Sequence, residues 1–92
     1  MSGKIREHFE FRGEVQGVGF RYRMTYLARG LGVTGWVRNE YDGSVTAELQ
    51  GREEEIDRVI RGLLDDSYIR INDMSRKRME LNDEERGFSE RY

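Results

Sequence analysis

The chain has 92 residues, of which 36% are hydrophobic and 37% are charged, and it contains no cysteine. This length is typical of one domain with a small core, and the lack of cysteine excludes a disulfide or cysteine–metal scaffold. No apolar run approaches the roughly 20 residues of a membrane span, and a net charge of −2 does not favour nucleic acid or membrane binding. Because no apolar signal segment follows Met1, we expect a single cytoplasmic domain over residues 1–92.

The first half of the chain predicts a strand, a helix and a hairpin. Residues 5–12 alternate between apolar and polar, apart from Glu7, which is typical of a half-buried strand. A helix follows, because apolar residues recur every three or four positions, at Met24, Leu27, Ala28 and Leu31. Two further strands begin at Trp36 and Val45, and the Asp42-Gly43 pair between them is typical of a hairpin turn.

The second half predicts another helix and two strands. Residues 53–55 are glutamates that favour a helix start, and apolar residues line one face of that helix at Ile56, Val59, Ile60 and Leu63. Residues 69–79 suggest a fourth strand interrupted by polar residues, residues 82–87 a solvated turn and residues 88–92 a short last strand. The order βαββαβ plus a final strand predicts an α+β fold, a ferredoxin-like sandwich of an antiparallel sheet with two helices on one face.

The segment between the first strand and the first helix, Val-Gln-Gly-Val-Gly-Phe-Arg over residues 15–21, carries the chemistry. Backbone N–H groups at a helix start lack partners, and Gly17 and Gly19 leave room for a ligand and permit left-handed backbone angles. Free amides and the helix dipole favour an anion there. Arg21 opposes that dipole by roughly 0.3–1 kcal/mol, so it is best explained by a bound anion. The spacing predicts a phosphate-type site, with a plain tight turn as the alternative.

Residues 13–21, followed by Gly-Trp-Val-Arg-Asn over residues 35–39, resemble the signature of the acylphosphatases, and residues 43–51 continue the likeness. The resemblance implies an enzyme that hydrolyses acyl phosphates to a carboxylate and inorganic phosphate without a metal or cofactor. It implies that Arg21 grips the phosphate oxygens and that Asn39 orients the attacking water. It also implies a phosphate-binding loop whose backbone amides come from Val15, Gln16, Gly17, Val18, Gly19 and Phe20.

The implied reaction suits these residue types. A carboxylate leaving group has a pKa of about 4 and needs no general acid, and a loose transition state needs positioning and charge stabilisation. An asparagine side chain both donates and accepts, as the orientation of a water requires. We therefore expect a monomeric acylphosphatase with a small-molecule substrate, with inorganic phosphate as product and inhibitor, and with no nucleic-acid or membrane partner.

Two other functions stay open from the sequence. One is an inactive phosphate-binding or regulatory relative of the acylphosphatases. The other is an RNA-binding ferredoxin-like module, which would stack bases on strand aromatics such as Phe9 and Phe11, although the sequence motif of such modules is absent.

Several isolated side chains are expected to be structural. The carboxylate of Glu90 lies between the two aromatic residues of the last strand and should be exposed or paired with an arginine, because burying it alone costs several kcal/mol. Four aromatic residues are expected to pack in the core or against the helices, namely Tyr22, Tyr26, Trp36 and Tyr68.

Overall fold

A computed structural model describes residues 3–92, so the first two residues of the expected 1–92 domain lie outside the described part. The elements follow in the order β1 (Lys4–Glu14), α1 (Phe20–Leu31), β2 (Thr34–Asn39), β3 (Val45–Arg52), α2 (Glu53–Leu64), β4 (Arg70–Met79) and β5 (Phe88–Arg91). β4 runs along β1 through the polar residues of its sequence, with a register shift opposite Arg12 and Gly13. Within residues 3–92, neither helix has the length and apolar content needed to cross a bilayer.

The strands form one sheet in the order β4-β1-β3-β2-β5. The first four strands pair antiparallel, whereas β5 pairs parallel with β2, so the sheet is mixed. Both helices share one core with the sheet. The predicted ferredoxin-like α+β fold is confirmed, and the short fifth strand extends the sheet on the side of β2. This last pairing brings the end of the chain close to the start of α1.

The core lies between the helices and the sheet and contains the aromatic residues of β1. Phe9 and Phe11 are both fully buried, with stacked rings whose centroids lie 5.6 Å apart. The Phe11 ring is 5.0 Å from that of Phe20, the first residue of α1. Since a base-stacking platform must be exposed, this burial removes the observation that favoured an RNA-binding module.

The other face of the sheet is polar, but part of it is covered. Arg6 is only 3% exposed there, although the alternation in β1 places it opposite the core. Its Nη2 lies 3.0 Å from Glu48 Oε1 and its Nη1 lies 2.8 Å from Glu85 Oε1. The prediction of a solvated turn at residues 82–87 is therefore wrong in one respect, because this segment folds back to supply a partner for a buried cation.

The hairpin between β2 and β3 is fixed by hydrogen bonds to Asp42. Its Oδ1 accepts from the Ser44 hydroxyl at 2.6 Å and from the Ser44 N–H at 3.0 Å, and Arg12 lies 3.2 Å from Oδ2. The hydrogen bonds from Ser44, and to a smaller extent the charge of Arg12, lower the pKa of Asp42 to about 2. Gly43 has the positive φ, 92°, that the predicted turn requires. The hairpin thus holds the end of β2, where Asn39 lies.

Replacing Arg6 by alanine should destabilise the fold strongly. Glu48 and Glu85, with side chains only 15% and 11% exposed, would lose their shared cation. We expect the free energy of unfolding to fall by about 3 kcal/mol, as when one partner is removed from a buried pair. Urea denaturation measures this change. Arg12→Ala, in the same strand but 47% exposed, is the control and should change stability little; an equal loss in both variants would contradict the prediction.

Replacing Ser44 by alanine should raise the pKa of Asp42 from about 2 toward its ordinary 3.8, because the hydroxyl donor is lost. The lowered pKa means that the Asp42 carboxylate stabilises the folded protein above pH 3.8 and that this contribution disappears as the pH falls toward 2. NMR titration of the Asp42 carboxyl carbon in both proteins measures the shift. A value that stays at about 2 in Ser44→Ala would contradict the assignment to the hydroxyl.

Candidate active site

The loop between β1 and α1 is anchored in the core at both ends. Val15 is 1% exposed and Phe20 is 2% exposed. Between them, Gly17 and Gly19 have φ values of 73° and 81°, which side-chain-bearing residues rarely adopt. A Cβ atom at either glycine would meet no protein atom within 4 Å, so the backbone angles, and not crowding by protein, require glycine there.

The start of α1 leaves its backbone donors free of helical partners. The Arg23 N–H donates to the Gly19 carbonyl at 2.9 Å. The N–H groups before Arg23 therefore have no acceptor within the helix. Gly19 is the N-cap residue and gives no side-chain cap, and the first turn contains no acidic residue. No capping or acidic side chain of the helix start therefore offsets the positive end of the helix dipole, which favours a bound anion there.

A pocket of about 170 Å³ lies at this helix start. It brings together the two residues predicted to be catalytic, Arg21 and Asn39, although they belong to α1 and β2. Ligand pockets for larger molecules are roughly 300–1,000 Å³, so this smaller pocket suits a group of the size of a phosphoryl group. Its lining consists of Val15, Gly17, Gly19, Phe20, Arg21, Tyr22, Asn39 and Glu90.

Two residues of the predicted loop, Gln16 and Val18, are not part of this lining. The Gln16 side chain turns to the hairpin and donates through Nε2 to the carbonyls of Glu40 and Ser44, both at 2.8 Å. Val18 is half-buried against the core. These two side chains hold the loop to the rest of the protein, on opposite sides of Gly17.

The Arg21 guanidinium is positioned by the end of β5. Its Nη1 donates to the Arg91 carbonyl at 3.4 Å, and its Cζ lies 4.7 Å from the centroid of the Tyr92 ring. A guanidinium has five N–H donors, so most of them stay available to an anion. The second arginine of the helix start, Arg23, instead approaches Asp66 at 3.8 Å beyond α2 and does not line the pocket.

Glu90 is a pocket residue that sequence reasoning did not assign to the site. It was expected to be exposed or paired with an arginine, and it is half-buried beside Arg21 in the pocket lining. It reaches this place because β5 runs parallel to β2, with Glu90 opposite Val37. The polar residue in an apolar alternation was visible in the sequence, but the strand pairing that places it was not.

The tyrosines of α1 are exposed, so the prediction that they pack in the core or against helices is wrong. Tyr22 is 70% exposed and Tyr26 is 63% exposed, and the same holds for Tyr68 at 79%. Trp36, at 8%, is buried, but on the polar face of the sheet against His8 and not in the core between sheet and helices. Tyr22 also lines the pocket, which makes it the second site residue that the sequence did not reveal.

Metal-ligating side chains do not gather in the described part of the chain. Over residues 3–92 no three histidine or acidic side chains lie close enough together to hold a metal ion. The pocket is lined by two glycines, one valine, two aromatic residues, one guanidinium, one amide side chain and one carboxylate. Such a set can bind a tetrahedral anion and orient a water.

The sequence and the fold both match known proteins. The profile of the Acylphosphatase family matches residues 7–90. An acylphosphatase of Paraburkholderia xenovorans is 42% identical over 81 residues, covering 88% of this chain and 77% of that protein. One of Thermococcus kodakarensis is 49% identical over 57 residues, covering 62% and 63% respectively. The crystal structure of acylphosphatase from Bacillus subtilis matches with a TM-score of 0.87 and 27% identity, over 96% of this chain and 99% of that chain.

These matches agree with the resemblance found in the loop and in β2. The family profile spans nearly all of the chain, and the five-stranded sheet with two helices is shared with an acylphosphatase structure over almost its whole length. The chain belongs to the acylphosphatase family, and its family and fold support the hydrolysis of acyl phosphates as its activity.

Proposed function

We propose that this chain hydrolyses acyl phosphates in the pocket at the start of α1. The phosphoryl group lies against the backbone amides of residues 15–20, the Arg21 guanidinium binds its oxygens, and Asn39 orients the attacking water. One observation carries this assignment: Arg21, Asn39 and the glycines of the loop line a single pocket whose volume, about 170 Å³, suits a phosphoryl group.

The reaction follows from the charges in the pocket. The phosphoryl oxygens carry negative charge that the helix start and the Arg21 fork stabilise, most strongly in the loose transition state. The water oxygen forms a bond to phosphorus, while the bond from phosphorus to the acyl oxygen breaks and its electron pair leaves with the carboxylate. The proton of the water passes to solvent or to the phosphate product. Because the leaving carboxylate is weakly basic, no side chain has to protonate it.

Asn39 suits the water-orienting role by its position. It is the last residue of β2 and pairs with Val45 in β3, so the hairpin fixes its backbone. Its side-chain amide has both a donor and an acceptor, so it can hold the attacking water by hydrogen bonds without contacting the phosphate. The amide stays uncharged and does not repel the phosphate, in contrast to a carboxylate at that place.

The finer features of the function are part of the same proposal. Inorganic phosphate, as product, competes for the same amides and for Arg21, and so inhibits. We propose a cytoplasmic monomer made of one domain, supported by the cysteine-free composition and by a core that is closed between sheet and helices. The buried Phe9 and Phe11 and the net charge of −2 are reasons to propose no nucleic-acid partner.

Alanine at Arg21 and at Asn39 should have different consequences. Arg21→Ala should lower kcat/KM by about 100-fold or more and weaken inhibition by phosphate, because Arg21 is proposed to contact both the phosphoryl group of the substrate and the phosphate product. Asn39→Ala should lower kcat by about 100-fold with near-normal phosphate inhibition, because Asn39 contacts the water. Hydrolysis of benzoyl phosphate, with and without inorganic phosphate, measures both effects.

A matched control is available in the same helical turn. Arg23→Ala removes a neighbouring arginine that faces Asp66 and not the pocket, so its kinetics should stay close to wild type. Circular dichroism establishes that each variant is folded. An equal loss of phosphate inhibition in Arg21→Ala and Asn39→Ala would contradict the division of roles, and a folded wild-type protein without hydrolysis would contradict the proposed function.

Gln16→Ala should lower activity although the Gln16 side chain does not contact the substrate. The two hydrogen bonds from Gln16 to the hairpin would be lost, and with them the link between the phosphate loop and the strand that carries Asn39. We expect kcat/KM to fall about tenfold, because small misplacements of reacting groups are costly. Gln50→Ala is the control, since Gln50 bonds to Asn82 and Arg6 on the opposite face of the sheet, and circular dichroism checks that this buried variant is folded. Unchanged kcat/KM in Gln16→Ala would show that the loop holds its position alone.

A further inference from the structure

The last strand places the carboxylate of Glu90 in the pocket at the start of α1. Side chains alternate along β5, so Glu90 lies on the same face of the sheet as Phe88, which packs in the core below the helices. There it lines the pocket together with Arg21 and Asn39. A negatively charged side chain is therefore part of a pocket whose other features favour an anion.

The Glu90 carboxylate is half-buried, yet within residues 3–92 it has no hydrogen bond or ion pair. The other buried or half-buried acidic side chains in this part of the chain each accept a hydrogen bond or face an arginine, as Glu85 does with Arg6. A half-buried polar group without a protein partner is expected to find one in a ligand or in water.

The arginines of α1 and β5 that lie near Glu90 are turned to other partners. Arg21 donates through Nη1 to the Arg91 carbonyl at 3.4 Å. Arg29 donates through Nε and Nη2 to the Phe88 carbonyl at 3.2 and 2.9 Å. The Arg91 guanidinium lies over a ring of β2 on the opposite face of the sheet. None of these three cations forms an ion pair with Glu90 in the described residues.

The arginines of β2 and α2 do not neutralise Glu90 either. Arg38 pairs with Glu40 at 2.9 Å. Arg58 lines, with Glu90 and Tyr22, a groove of about 840 Å³ that adjoins the pocket, but it does not line the pocket itself. Over residues 3–92 no ion pair joins Arg58 to Glu90, and the Tyr22 phenol is ordinarily uncharged. The negative charge of Glu90 thus faces the place proposed for the phosphoryl group.

A carboxylate beside a bound anion favours an anion that still carries a proton. An ionised carboxylate accepts hydrogen bonds and cannot donate them. The monoanion H₂PO₄⁻ has O–H donors, whereas sulfate, a tetrahedral dianion, has acceptor oxygens alone. Glu90 can accept from an O–H of H₂PO₄⁻ while Arg21 donates to another oxygen. With sulfate, negatively charged oxygens would face each other without a proton between them, which is strongly unfavourable.

We propose that Glu90 is a specificity-determining residue, which accepts a hydrogen bond from a protonated oxygen of phosphate and excludes sulfate from the pocket. The inference rests on the proposed function, since it assumes that the phosphoryl group occupies the pocket at the start of α1. The last strand then supplies the acceptor of the site, while the loop and Arg21 supply its donors.

The test compares phosphate and sulfate as inhibitors of benzoyl phosphate hydrolysis at constant ionic strength. At about pH 5.5 a glutamate is ordinarily ionised, and phosphate, whose second proton leaves above about pH 6, is mostly H₂PO₄⁻. Glu90→Gln keeps the size of the side chain and removes its charge. We expect the inhibition constant of sulfate, divided by that of phosphate, to fall about tenfold in this variant. Calorimetric titration of both anions measures the same ratio as Kd values without turnover.

Glu80→Gln is the matched control, because it changes the net charge equally at an exposed residue that lines neither the pocket nor the groove. Circular dichroism checks that both variants are folded. A fall of the ratio in Glu90→Gln that is absent in Glu80→Gln supports the role of Glu90. If wild type hydrolyses benzoyl phosphate and the ratio in Glu90→Gln equals that of wild type or of Glu80→Gln, this role is overturned and the proposed function stands.

The calorimetric arm separates the two remaining outcomes. If folded wild type binds phosphate but does not hydrolyse benzoyl phosphate, the proposed function is overturned, and the ratio of Kd values decides the role of Glu90 by the same criterion. If folded wild type neither binds phosphate nor hydrolyses benzoyl phosphate, both proposals are overturned.

Discussion

The burial of Val15 and Phe20 is the constraint on which the active site depends. Both side chains are almost completely inaccessible, so the backbone between them must cross from β1 to α1 in a short loop. Two left-handed glycines make this crossing possible, and the same turn leaves the amides of the helix start without helical partners. Core packing, which normally serves stability alone, here fixes the place and the direction of the backbone donors that are proposed to bind the phosphate.

The hairpin connects this loop to Asn39, the residue proposed to orient the water. Gln16 reaches from the loop to two carbonyls of the hairpin, and Asn39 ends the strand that enters it. The Asp42 carboxylate, held by Ser44, closes the turn between those carbonyls. The loop and Asn39 are thus parts of one hydrogen-bonded unit, although they lie more than twenty residues apart in the chain.

Local patterns predicted most of the fold, and long-range contacts account for what they missed. The apolar face of α2 and the Asp42-Gly43 turn depend on neighbouring residues, and both are present as expected. Arg6 looked like an exposed residue because its partner Glu85 lies 79 positions away. The pattern of apolar and polar residues along the chain does not indicate a pairing between residues so far apart. The exposure of the α1 tyrosines was missed because other residues of α1 form the face that packs against the core.

The candidate site divides along the same line. The proposed phosphate loop is a continuous segment, and its backbone conformation leaves a clear trace in the glycine spacing. Glu90 reaches the same pocket from β5, and it does so only because β5 pairs parallel with β2. The loop proposed to bind phosphate can therefore be recognised from sequence, whereas a carboxylate that the last strand places beside Arg21 cannot. The loop and the last strand are separable parts of the structure, so a change in β5 can alter the charge of the pocket while the loop stays intact.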